Sequence, residues 1–210
     1  MFDVIKLQWY QNQGYRALRK GKHERASYNF ERALLISESV EVRFNYIIVL
    51  SALGKYKEAY QHLKRVIEEY PDNEMALSMM IWVSMMLREW EMAIDYCDKI
   101  RLKFPSNHEF IHLHDIIKSP MVREKFISAH EKTKKAEQLI LKKKHDEALS
   151  LLEEAIELNP DDAVIYNNIA SIHLKKRDNK QAKTFMKKAI ELDPTNDVYK
   201  KNLRIIIKKK

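Results

Sequence analysis

Four residues near the middle of the chain, His108, His112, His114 and Asp115, are of the types that bind metal ions or shuttle protons. His108 and His112 lie four positions apart, so on a helix both imidazoles would project from one face and could share a cation. No fixed third ligand is evident on that face, and the ordinary reading is a partly exposed helix that carries histidines. The single cysteine, Cys97, can form neither an internal disulfide nor a cysteine-based zinc site, and a small buried apolar side chain is its expected role. The sequence holds no Gly-rich phosphate loop, no metalloprotease HExxH and no nucleophile elbow. The expectation is therefore a chain without catalytic residues, metal ion or cofactor, and not an enzyme.

Charge is the other chemical resource. The chain carries 38 Lys and Arg against 30 Asp and Glu, a net of +8. Residues 1–128 account for +2 of this and residues 129–210 for +6. The excess sits in Lys142–Lys144, Lys175–Arg177, Lys187–Lys188 and Lys208–Lys210. Such clusters attract acidic partners, although lysines on helices are also the usual solvated face. They lack the interleaved aromatics that stack bases, so nucleic acid is only a lesser alternative as partner. The N-terminus has no apolar run of signal-peptide length, and the longest apolar stretch, around Met79–Leu87, is too short to span a bilayer. A cytoplasmic chain with no membrane span is expected.

The elements that would position these residues follow from an internal repeat. Five segments align: Ala26–Ala33, Ala59–Val66, Ala93–Ile100, Ala148–Ala155 and Ala182–Ala189. Their leading alanines are 33, 34, 55 and 34 residues apart, and in the last four a proline follows the alanine by 12 residues: Pro71, Pro105, Pro160 and Pro194. Small and apolar residues four and three apart fall on one helix face, where a second helix can approach closely. Proline cannot continue a helix and ends each unit. Asp72, Asn73, Asp161 and Asp162 after it can cap the next helix. Another amphipathic stretch lies upstream of each alanine across a short turn, which holds Gly21 and Gly54 in the first two units.

This pattern resembles the tetratricopeptide repeat, a 34-residue helix–turn–helix unit. The resemblance implies an all-α, right-handed superhelical array of such repeats, here in two lobes. The first lobe, 1–119, would hold repeats at about 7–39, 40–73 and 74–107 and an extra helix at 108–119. The second, 120–210, would hold a long helix leading into repeats at about 129–162 and 163–196 and a closing helix at 197–207. The 55-residue spacing motivates the division, with a break in the stacking expected between about 108 and 128. Repeat 1 has Glu38 where proline is usual, so its second helix would end less sharply. Lys132 and Lys135 occupy normally packed positions of repeat 4, which suggests that repeat 3 does not cover that side.

The resemblance also implies that a partner lies in a concave groove lined by the first helix of each repeat. In the first lobe this places Tyr15, Phe44, Asn45 and Ile48 in the groove, together with Met75, Met79, Trp82 and Met86. Met85 falls beside them by the same register. Leu77, Met80 and Ile81 already supply that helix's packing face, so the methionines and tryptophan form a second apolar face. Methionine suits an adaptable surface and tryptophan an interface anchor. In the second lobe the groove would carry Lys134, Asn167, Asn168, Ser171, Lys175 and Lys201, a polar and mildly basic set. Only Asn45 and Asn168 match the residues with which some family members clamp a terminal carboxylate. Thr133, Glu137, Val198 and Asn202 depart from that pattern, so no clamp is expected. The implied function is a scaffold, adaptor or chaperone-like module that binds a peptide or amphipathic helix, with acidic segments at the second lobe. The alternative is a self-assembling protein whose groove is filled by its own segment or by another copy.

Overall fold

The computed structural model describes residues 2–105 and 108–208. Among them are twelve α-helices and no strand. The chain divides into two compact units, 1–118 and 119–210.

The first unit contains α1 (Phe2–Leu18), α2 (His23–Leu34), α3 (Val40–Ala52), α4 (Tyr56–Glu69), α5 (Glu74–Met86), α6 (Trp90–Lys103) and α7 (His108–Lys118). Consecutive helices pack against one another. Ala26, Ala33, Ala59, Ala93 and Ile100 are fully buried, which the aligned segments require if they form the close-contact face. Helix α1 starts five residues before the expected repeat boundary. Phe2, Ile5 and Trp9 on its opening turns are 78, 64 and 54% exposed. Between α1 and α2 the contact is unusually tight. The ring of fully buried Phe30 lies against the backbone of Gly14, and a Cβ there would come within 2.7–2.9 Å of it. Tyr15 meets the same ring edge-on, centroids 5.4 Å apart. Where repeat 1 lacks its proline, α2 is 12 residues long and closes on Leu35 in a right-handed conformation. Arg43 occupies the aromatic position of α3 yet is buried, its guanidinium 3.5 Å from Glu38 and 3.4 Å from His62.

The second unit contains α8 (Pro120–Leu141), α9 (His145–Leu158), α10 (Ala163–Lys175), α11 (Asn179–Leu192) and α12 (Asp197–Lys208). Its core joins Ala129, Ala136, Ala148, Leu152 and Ala155 to Ile165, Ile169 and Ile172, and continues through Ala170, Ala182, Met186, Ala189 and Tyr199. Of the two lysines at packing positions, Lys132 is half-buried and pairs with Glu154 of α9, while Lys135 is exposed. Asp162 caps α10 by accepting from the Val164 amide at 2.9 Å, as Asn73 caps α5 by accepting from Ala76 at 2.9 Å.

All five turns within repeats use one backbone device. The residue at positive φ is Gly21, Gly54, Arg88, Lys143 or Arg177, with φ between 61 and 73°. In each turn the next amide reaches back to a carbonyl five residues earlier, as Lys144 N does to Leu139 O at 3.0 Å. This is the Schellman closure, which satisfies carbonyls that the ending helix orphans. Glycine adopts this left-handed conformation freely, whereas a residue with a Cβ is strained there by about 1–2 kcal/mol. Replacing Lys143 with glycine should therefore stabilise the protein by about 0.5–1 kcal/mol, once the greater freedom of glycine in the unfolded chain is subtracted. Chemical denaturation of Lys143→Gly measures this, and a lowered midpoint would contradict it.

Candidate partner-binding faces

In the first unit, the residues expected in the groove lie on α1, α3 and α5. Asn45 ties the first two together: its amide donates to the Tyr15 hydroxyl at 2.7 Å and to the Glu41 carbonyl at 3.0 Å. The Tyr15 hydroxyl in turn lies 3.4 Å from Glu41 Oε1. Burial, with the charge of Glu41, raises the Tyr15 pKa, and the Asn45 hydrogen bond opposes this. Tyr15 and Asn45 thus spend their polar groups holding the face together. Phe44 is half-buried against the core, and Ile48 is 44% exposed.

Helix α5 buries seven residues in packing: Ala76, Leu77, Met80, Ile81, Val83, Ser84 and Met85. Met85, which the register had placed with the groove, is fully buried core. It lies three residues after Trp82 but on the flank that continues Ile81 and Ser84, so the free stripe is narrower by one residue. Met75 is 59% exposed, and Met79, Trp82 and Met86 are half-buried. Met79 leans on the core through one side. The stripe Met75–Met79–Trp82–Met86 is what remains on α5 after its packing is complete.

The second unit presents a different surface. Glu137 on α8 accepts from Lys134 at 3.1 Å and from the Asn168 amide of α10 at 3.3 Å. Asn167 accepts from Asn202 of α12 at 3.1 Å. Ser171 and Lys175 line a cleft of about 270 Å³ with Leu174, Met186, Asn202, Ile205 and Ile206. Lys201 is exposed on α12. The apolar side of this cleft was not anticipated. Its signal was present in the run Ile205–Ile207, which is more apolar than one packing face of a closing helix needs.

Other groups of chemical interest are structural. Cys97 is fully buried, and burial, with the Asp98 charge, pushes its thiol up to about 12, so it is no nucleophile at neutral pH. His114 is buried, with Nε2 at 3.1 Å from Asp98 Oδ1. The Arg101 guanidinium approaches both its ring nitrogens, at 3.1 and 3.4 Å, which places it over the ring rather than in its plane. These contacts hold α7 on α6. His112 is exposed, and the His108 side chain lies outside the described residues. Among the described residues no group of three His, Cys, Asp or Glu is arranged to hold a metal ion, and no helix is long and apolar enough to cross a membrane.

Comparison with known proteins agrees with the repeat. The tetratricopeptide repeat profile matches residues 41–73 and, in a second form, residues 139–203. No curated protein matches the chain in sequence. Among solved structures, a tetratricopeptide repeat protein from Parabacteroides merdae is similar over 96% of this chain and 99% of its own, at 15% identity and a TM-score of 0.51. MamA from Desulfovibrio magneticus, residues 41 to its end, is similar over 91% of this chain and 97% of its own, at 18% identity and a TM-score of 0.50. At such identity the likeness is one of fold. The profile matches, with helix pairs closed by one recurring turn, identify tetratricopeptide repeats in residues 41–73 and 139–203 of this chain.

Proposed function

We propose that the chain is a non-catalytic scaffold of the cytoplasm. Its first unit takes an apolar helix or strand of another protein on the face formed by α1, α3 and α5. The observation that supports this most is the stripe Met75, Met79, Trp82 and Met86, left partly exposed after seven residues of the same helix have met its packing demand. In this reading Tyr15, Phe44, Asn45 and Ile48 border the stripe. Unbranched methionines repack around different side chains, and a half-buried tryptophan offers a large rigid anchor. In the second unit Lys134, Asn167, Asn168, Ser171, Lys175 and Lys201 suit a polar, acidic segment.

One observation favours a second copy as the occupant: the opening turns of α1 expose Phe2, Ile5 and Trp9 at helical spacing, an apolar helix face of the kind the stripe would accept. Sedimentation over a concentration series separates the two occupants, because only self-filling gives a concentration-dependent dimer. In either case Trp82→Ala should weaken the complex about tenfold and leave the helical circular dichroism unchanged. Binding of undiminished strength by Trp82→Ala would remove this face from the mechanism.

A further inference from the structure

In the second unit, consecutive helices are antiparallel and joined by short turns, so α8, α10 and α12 end at the same end of the stack. Two contacts fix this. Lys176 Nζ lies 2.6 Å from Asp146 Oδ1, which joins the turn after α10 to the start of α9. Leu174 and Lys175 share their cleft with Ile205 and Ile206 of α12. This end gathers Lys142, Lys143, Lys144, Lys175, Lys176, Arg177 and Lys208, all exposed. Lys144 pairs with Glu147 and Lys176 with Asp146. For Lys142, Lys143, Lys175, Arg177 and Lys208 no carboxylate partner lies within 4 Å among the described residues. The opposite end carries Asp161, Asp162 and Asp193 in its turns and Asp197 at the start of α12.

Cations at helix C-termini complement the helix dipole, and that would account for the charge alone. It does not account for Leu141 and Ile207. These lie in the last turns of α8 and α12, among the cations, and are 67 and 49% exposed. Such exposure forgoes the stabilisation of burial unless something covers it. Basic side chains around protruding aliphatic ones are the combination that an anionic bilayer surface takes up: the cations meet the headgroups and the aliphatics enter the acyl boundary. A single-stranded nucleic acid would instead call for stacking aromatics, and 141–147, 174–180 and 203–208 contain no Phe, Tyr or Trp. We infer that this end of the second unit is a peripheral docking surface for membranes that contain anionic lipid.

The test is co-sedimentation of the full chain with vesicles of phosphatidylcholine alone and of phosphatidylcholine with phosphatidylserine. Binding is expected only to the latter, and should be lost as salt screens the charges. Each basic side chain removed should lower the partition about fivefold, so Lys143→Gln with Arg177→Gln should lower it more than tenfold. Leu141→Ser with Ile207→Ser should also lower it about tenfold, while binding to a single-stranded RNA oligonucleotide, if any, stays as it was. All four substitutions are at exposed positions, and circular dichroism checks that the helices persist. Absence of binding to phosphatidylserine vesicles overturns the inference. So does binding that ignores the aliphatic substitutions, or tighter binding to the RNA than to the vesicles.

Discussion

Phe30→Ala should cost the first unit about 3–5 kcal/mol, the largest loss expected from one side chain in this protein. The ring is fully buried, carries Tyr15 on its edge, and lies against the backbone of Gly14. Removing it leaves a cavity between α1 and α2, bordered by the Gly14 backbone and the Tyr15 ring. The same contact predicts a conditional effect. Gly14→Ala should gain about 1 kcal/mol from helix propensity, but the new methyl would lie within 3 Å of the ring, and overpacking costs about 1–3 kcal/mol. The net result should be destabilising in the native protein. In a Phe30→Leu background, where the ring is gone, Gly14→Ala should turn neutral or stabilising. Urea denaturation of the four proteins of this cycle measures the coupling, and additive effects would mean that the two residues do not touch.

Acid should loosen the second unit through His130. Burial first, and the Lys134 charge second, push this imidazole down to about 4, against a smaller upward pull from Glu137. The ordinary value is near 6.5, so between the two the unfolded chain binds a proton that the folded chain refuses. Stability therefore falls as pH drops through about 6.5 and stops falling on this account near 4, by roughly 3 kcal/mol in total. His130→Gln should remove that part of the slope. The comparison of the two proteins at pH 7 and pH 4.5 isolates it from the carboxylates, which titrate in both. Equal slopes would show that His130 takes up its proton in the fold. His62 acts in the same direction in the first unit, where burial and the nearby Arg43 and Arg65 lower it.

The periodicity of the chain carried most of this architecture. Alanines at fixed phase state where two helices touch, and a proline 12 residues later states where the second one stops. Asn73 and Asp162 at the next helix start are caps by chemistry as well as by position. What periodicity does not encode is size matching across a contact. Gly14 reads as a weak helix residue until Phe30 is seen against it. Met85 reads as a groove residue because a register fixes angle only to within one side chain, and the flank on which it falls is settled by neighbouring helices. Arg43 stands where an aromatic is usual, and its burial depends on Glu38 and His62 arriving from other segments. Whether the partner faces Met75–Met86 and Lys134–Lys201 are occupied as proposed depends on molecules other than this chain, which no pattern within it describes.

The left-handed turns have a further consequence. Three of them place Arg88, Lys143 or Arg177 at the tip, residue types after which trypsin cuts, and all three are exposed. A protease must draw several residues into an extended conformation, and here each tip is pinned by a back-bond from the following amide: Glu89 to Ser84, Lys144 to Leu139, Asp178 to His173. Cleavage at a tip therefore has to wait for its own hairpin to open, at a rate set by the local rather than the global free energy of opening. Turns built on Gly21 and Gly54 have no such residue at the tip, although lysines flank both. The order in which the three sites are cut would thus rank the hairpins of repeats 3, 4 and 5 by how readily each comes apart.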